Sequence, residues 1–250
     1  MPVAKPAENP NMKTLSLLDF FGRVGYDHRK DLDAIRTICH LTKTRVSEDK
    51  QQSTLMAGTE QTFLIKAIAE WRLASSFFEI GTGRGTACYA MALVPGMATI
   101  DTVDILDFDR KFQTAIGFEP ASVSLSDIRD MIPFTEKSKV RFHTRRELPQ
   151  LAASLRQSVD LCFIDGDHTD RRIITEDYRA CLEVVKEGGL ILWDDYDPDN
   201  FAVKPVVDDL LRSHPEYDAI LIEQRGHLFT DKPPEKERGV VIMQRGPIEV

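Results

Sequence analysis

Phe77-Phe78-Glu79-Ile80-Gly81-Thr82-Gly83-Arg84-Gly85-Thr86 runs from an apolar, strand-like stretch through three glycines into a helical pattern over 86–93. A dinucleotide-binding fingerprint needs G-x-G-x-x-G, yet the residue five after Gly81 is Thr86 and the third glycine comes one position early. A pyrophosphate cradle is therefore the weaker reading. What stands is E-x-G-x-G-x-G: Glu79 sits at the strand end, and the glycines let backbone approach a ligand closely. A carboxylate facing such a loop suits a cationic group better than a phosphate. The bland alternative is a tight strand-to-helix turn with no ligand.

The surrounding chain repeats this strand-to-helix alternation. SFFEI (76–80), ATIDTVDI (98–105), VRFHT (140–144), DLCFID (160–165) and LILW (190–193) read as strands. The later ones are nearly continuous apolar runs, the pattern of strands covered on both faces in a parallel sheet. Helical periodicity falls over 60–71, where Leu64, Ile68 and Trp71 share a face, over 86–93, 147–155 and 171–186, and over 203–211 with Pro205 in its first turn. Gly188-Gly189 is expected to end the 171–186 helix. Two further strand-like runs, AILIEQ (219–224) and GVVIMQR (239–245), are joined without a helix and should pair antiparallel.

These elements predict an α/β, doubly wound, Rossmann-like seven-stranded sheet, mostly parallel with a terminal antiparallel strand. Residues 1–54 are expected to form an N-terminal extension and helical cap, with a disordered lead-in over 1–11, and residues 55–250 the main domain. The N-terminal region could also serve as a homo-oligomer contact.

Apolar residues make up 42% of the chain and charged residues 29%, enough to bury a core and too balanced for a disordered or collagenous chain. With 32 Lys+Arg against 40 Asp+Glu the net charge is −8, which argues against a phosphate-tracking nucleic-acid surface. No stretch approaches the ~20 apolar residues of a membrane span, and the first residues do not read as a signal peptide. Cys39, Cys88, Cys162 and Cys181 lie singly in apolar segments without CxxC pairs, as reduced core residues of a cytoplasmic protein would. The partner left is a small molecule.

Two loops at strand ends carry dense acid: Asp165-Gly166-Asp167-His168 after DLCFI, and Asp194-Asp195-Tyr196 after LILW. Both lie at the edge where open α/β sheets bind ligands. Uncompensated acids converging there would repel, so a divalent cation is their natural partner. The structural alternative is that Asp170 caps the next helix and 194–200 is an acidic turn.

FEIGTGRG resembles the first motif of class I S-adenosylmethionine-dependent methyltransferases, and the strand order with a late antiparallel strand is similar to theirs. The resemblance implies that Glu79, Gly81, Thr82, Gly83 and Gly85 contact S-adenosyl-L-methionine, with Thr144 and Asp165 nearby. It also implies an acid at the end of the second strand for the ribose hydroxyls. Asp104 fits that role, while Asp101, three residues earlier, would point to the other face. FIDGDH with a later DDY resembles, more narrowly, metal-dependent O-methyltransferases of the catechol and caffeoyl-CoA type and their sugar-modifying relatives in antibiotic pathways. That resemblance implies Asp165, Asp194 and Asp195 as ligands of Mg2+ or another divalent cation, Asp167 as the base with His168 as its rival, and a small-molecule hydroxyl as acceptor. The stretch 106–139 departs from the family, being too long for a simple helical connection. Rival readings are a nucleotide-linked oxidoreductase, disfavoured by the glycine spacing, and a cofactor-binding module without catalysis, against which the acids of both loops speak.

Overall fold

In chain order the strands are β1 (Met12–Ser16), β2 (Ser76–Ile80), β3 (Thr99–Asp104), β4 (Phe112–Ile116), β5 (Glu119–Val123), β6 (Val140–Thr144), β7 (Val159–Ile164), β8 (Val185–Trp193), β9 (Tyr217–Gln224) and β10 (Arg238–Arg245). The helices are α1 (Leu17–Val24), α2 (Leu32–Thr42), α3 (Glu60–Trp71), α4 (Thr86–Ala92), α5 (Leu125–Met131), α6 (Leu148–Ser154), α7 (Arg171–Val184) and α8 (Val203–Ser213). The structure, a computed structural model, describes residues 12–42, 59–116, 119–197, 201–224, 228 and 238–250. The expected lead-in over 1–11, the boundary between 54 and 55 and most of the loop before β10 lie outside the described residues.

The apolar runs become one sheet of order β1-β9-β10-β8-β7-β2-β3-β6. From β6 to β8 the pairings are parallel, and β10 lies antiparallel between β8 and β9, as its helix-free connection predicts. Alternation in β2 sends Phe77 to one face with Ile100, Leu161 and Phe163, packed under α3 and α4. Phe78 and Ile80 go to the other face with Cys162 and Ile164, packed under α6, α7 and α8. Both layers are predominantly apolar, which is why the strand sequences do not alternate, and each buried apolar side chain contributes about 1.5–3 kcal/mol. All four cysteines are buried and none forms a disulfide. Among the described residues no helix is long and apolar enough to cross a membrane.

Among the described residues the sheet has eight strands rather than seven. β1 adds in parallel to β9, with Met12 opposite Ala219 and Ser16 opposite Glu223. Its sequence, MKTLS, has too few apolar residues to announce an edge strand. Ser16 then caps α1, accepting from the Asp19 N–H at 3.1 Å, and Leu17, Phe20 and Phe21 join Ile35 and Ile38 of α2 in the core.

Gly188-Gly189 does not end α7. The helix stops at Val184, and Val185 is already extended. The glycines fall inside β8, where the pairing with β7 slips between Val159 and Leu161, and Gly188 takes φ +72° there. The long stretch after β3 holds the β4–β5 hairpin, α5 with a Ser124–Asp127 capping box, and a 3-10 turn over Thr135–Lys139.

Candidate functional site

β2 ends in Gly81, Gly83 and Gly85, at φ +101°, +53° and +86°, a sequence of left-handed turns that glycine adopts without a Cβ penalty. The Gly81 N–H donates to the Val103 carbonyl and the Asp165 N–H to the Ile80 carbonyl, both at 2.8 Å, so the glycine loop is tied to β3 on one side and to the β7 end on the other. A cavity of about 440 Å³ opens at this junction. Glu79, Gly81, Thr82, Gly83 and Asp165 line it together with Leu106 and Phe112 from the long stretch after β3.

Glu79 is fully buried, and its Oε2 accepts from the Thr102 hydroxyl at 2.5 Å. Burial pushes its pKa up to about 8 against the Thr102 bond, and the nearby Asp104 adds to the rise. Asp104 stands at the end of β3, where Oδ2 accepts from the Gly83 N–H and Oδ1 from the Leu106 N–H, both at 2.9 Å. Asp101 faces elsewhere and pairs with Arg141 at 2.5 Å and His143 at 2.8 Å on β6.

The second feature borders the first. Asp165, His168 and Asp195 offer ligand atoms within 4.8 Å of one another, and His168 Nδ1 lies 3.3 Å from Asp195 Oδ2. Desolvation raises the Asp165 pKa well above the usual carboxylate range, and Asp194, Glu79 and Asp195 push it further. Asp194 lies beside Asp165 and outside this trio, whose third member is His168. Adjacent residues diverge at the strand end, and Asp195 turns further by taking φ +52°.

Residues 78–196 match the family model of a methyltransferase domain. The matched span runs from β2 past β8 and so includes the glycine loop and both acid loops. The chain is similar to the O-methyltransferase TomG of Streptomyces achromogenes, involved in tomaymycin synthesis and solved with SAM: 18% identity over 83% of this chain and 90% of that one, TM-score 0.55. It is similar to cofactor-bound Rv0187 from MTB at 16% identity over 96% and 99%, TM-score 0.54. It also resembles the O-methyltransferase of Bacillus cereus in complex with SAH at 14% identity over 96% and 92%, TM-score 0.50. At these identities the likeness is one of fold. No curated protein matches the sequence.

Two of the expected site residues are engaged by their own loops. Asp167 Oδ1 accepts from the Thr169 N–H at 2.7 Å, the Thr169 hydroxyl at 3.0 Å and the Asp170 N–H at 2.8 Å. Those backbone donors, Asp170 first, hold its pKa below the usual carboxylate range. The Thr144 N–H and hydroxyl both donate to Glu147 Oε2, at 2.6 and 2.9 Å, in a capping box. Asp170 caps α7 through the Arg172 N–H at 2.8 Å, as the structural alternative for this loop held.

Sequence reasoning missed Arg84, Gln61 and Phe112, which line the cavity. It also missed the buried Asp177, which pairs with Arg145 beneath the 165–168 loop. Arg84 was in view inside the glycine motif but reads there as a spacer, whereas Gln61 and Phe112 reach the site only through tertiary packing.

Proposed function

We propose that this chain is an S-adenosylmethionine-dependent O-methyltransferase that acts on a small-molecule hydroxyl with the help of a divalent cation. The observation that carries the reading is continuity: the cavity walled by Glu79, Gly81 and Gly83 reaches Asp165, and Asp165 belongs to the trio with His168 and Asp195.

The donor set fits both groups. Asp104 presents a carboxylate at the strand end, where two ribose hydroxyls could replace its bonds to the Gly83 and Leu106 N–H groups. Glu79 offers a buried carboxylate for an ammonium. Asp165, raised in pKa first by burial and then by Asp194, Glu79 and Asp195, is a carboxylate whose ionised form a cation would favour. S-adenosylmethionine supplies a methyl group already activated on sulfonium sulfur. A divalent cation supplies charge that lowers the pKa of an acceptor hydroxyl.

The chain's own work is alignment and proton removal. Asp165 and Asp195, with Asp194 alongside, would hold the cation next to the cavity. His168 accepts the hydroxyl proton, its ring oriented through Nδ1 by Asp195 and flanked by Phe201 at 5.3 Å between centroids. Asp167, committed to its turn, shapes the loop. Leu106 and Phe112 close the cavity beside the acceptor, so the long stretch after β3 sets acceptor shape.

Calorimetric titration of S-adenosylmethionine, followed by S-adenosylhomocysteine formation over a panel of vicinal-hydroxyl acceptors, tests this reading. Binding should survive excess chelator while turnover is lost and returns with Mg2+ or Mn2+. Absence of binding would overturn the reading; full turnover in chelator would remove the cation from it.

A further inference from the structure

Arg84 is the one cationic side chain among the described residues that line the cavity. It is half-buried, its Nη1 donates to the Thr42 carbonyl at 3.2 Å, and it makes no ion pair with a carboxylate among the described residues. Burial lowers its pKa with nothing acting against it. A guanidinium presents five N–H donors in a fixed fork suited to a carboxylate, and most of this fork is unspent. Gln61, on α3, lines the same cavity and has a buried Nε2 with no hydrogen-bond partner among the described residues. The Gln61 amide and most of the Arg84 fork are therefore left without acceptors at one cavity, a cost that a bound anion would offset. The same cavity is acidic at Glu79 and Asp165. A wall of carboxylate and a wall of guanidinium together match a zwitterion, the amino-acid end of a ligand.

Resting on the reading that this cavity takes S-adenosylmethionine, we infer that Arg84, assisted by the Gln61 amide, binds the α-carboxylate of its methionyl end while Glu79 faces the ammonium. Arg84 is thus a specificity-determining residue for the cofactor, and the loop that carries it recognises the ligand's charge as well as its backbone shape. Thr86, whose hydroxyl donates to Thr42 Oγ1 at 2.8 Å, helps hold the α2 end that Arg84 leans on.

The test is calorimetry on the full chain with S-adenosylmethionine and with decarboxylated S-adenosylmethionine, which lacks only the carboxylate. Wild type should prefer the carboxylated ligand by about ten- to hundredfold, the worth of one charge-assisted contact. Arg84→Gln should bring that preference to near unity by weakening S-adenosylmethionine alone, and Arg84→Lys should restore part of it. If Arg84→Gln does not fold, Gln61→Glu serves: its added charge should repel the carboxylated ligand and spare the decarboxylated one. A wild type that does not discriminate, or variants that keep the full preference, would overturn the inference and turn attention to an anionic group on the acceptor. Failure of wild type to bind either ligand would instead sink the cofactor reading itself.

Discussion

Gly81 packs its α-carbon directly against the main-chain carbonyl of Asp165: a Cβ at Gly81 would overlap that carbonyl and come within 2.8 Å of the Gly166 nitrogen. The glycine of the first loop is thus required by the acid loop as well as by any ligand. Gly81→Ala should cost about 3 kcal/mol or more, because a positive φ is combined with a collision against backbone. Gly83→Ala, at positive φ in open space, should cost only about 1 kcal/mol. Urea unfolding of the two variants checks the order, and equal costs would contradict the packing.

Glu79 makes folding and ligand binding depend on pH in opposite senses. Burial holds its folded pKa at about 8, above the ordinary value of 4.5, so the stability it contributes is complete below about pH 4.5 and gone above about pH 8. Glu79→Gln removes this loss. The melting temperature of the variant relative to wild type should therefore climb between pH 5 and pH 8. Binding of a cationic ammonium needs the ionised carboxylate, so wild-type affinity for S-adenosylmethionine should rise over the same interval, with proton release visible as a buffer-dependent binding enthalpy. A flat stability difference would show that Glu79 ionises normally.

Asp160 anchors the opposite end of β7, where Oδ2 accepts from the Ser75 and Ser76 N–H groups at 2.8 and 3.0 Å and from both hydroxyls at 2.9 Å, while Oδ1 pairs with Lys186. Burial alone would raise its pKa, but Lys186 and the serine donors outweigh this and hold it at about 2. Its contribution is present above about pH 4 and is lost as pH falls towards 2. Asp160→Ala should destabilise by about 2–3 kcal/mol, with cofactor affinity of the folded protein unchanged. Guanidinium unfolding paired with calorimetry measures both; a selective loss of affinity would count against a purely structural role.

Turnover should depend more on His168 than on Asp167. His168→Gln should lower kcat by about a hundredfold with cation and cofactor affinity retained. Asp167→Asn keeps an oxygen that can accept from Thr169 and Asp170, so its cost should be smaller. Loss of cation affinity in His168→Gln would make the imidazole a ligand instead of a base.

The buried pair beneath the loop supports it from below. Burial raises the Asp177 pKa to about 6 against the opposing pull of Arg145. Arg145→Ala leaves that carboxylate buried and unpaired, and should cost about 3–5 kcal/mol, whereas Arg145→Ala with Asp177→Asn should recover part of the loss. A double-mutant cycle in urea measures the coupling, and additive losses would show that the pair does not act together.

Period and composition were enough to read the parallel sheet, its antiparallel finish and the helices between, because those elements bury residues on faces that repeat along the chain. β2 and β6 occur at the residues their apolar runs mark, and α3 at those its periodicity marks. The glycine motif and the two acid loops were legible for a related reason: each is contiguous and follows a strand. β1 was not legible, since an edge strand of five residues is defined by its partner β9 more than by its own apolar content. Nor was the bulge around Gly188-Gly189, which in sequence resembles a helix cap and becomes part of a strand through its register with β7. The grouping of His168 with Asp165 and Asp195 and the placing of Arg84 and Gln61 at one cavity belong to the same class. Each is set by where side chains from separate elements point once the layers are packed, and no local pattern carries that information.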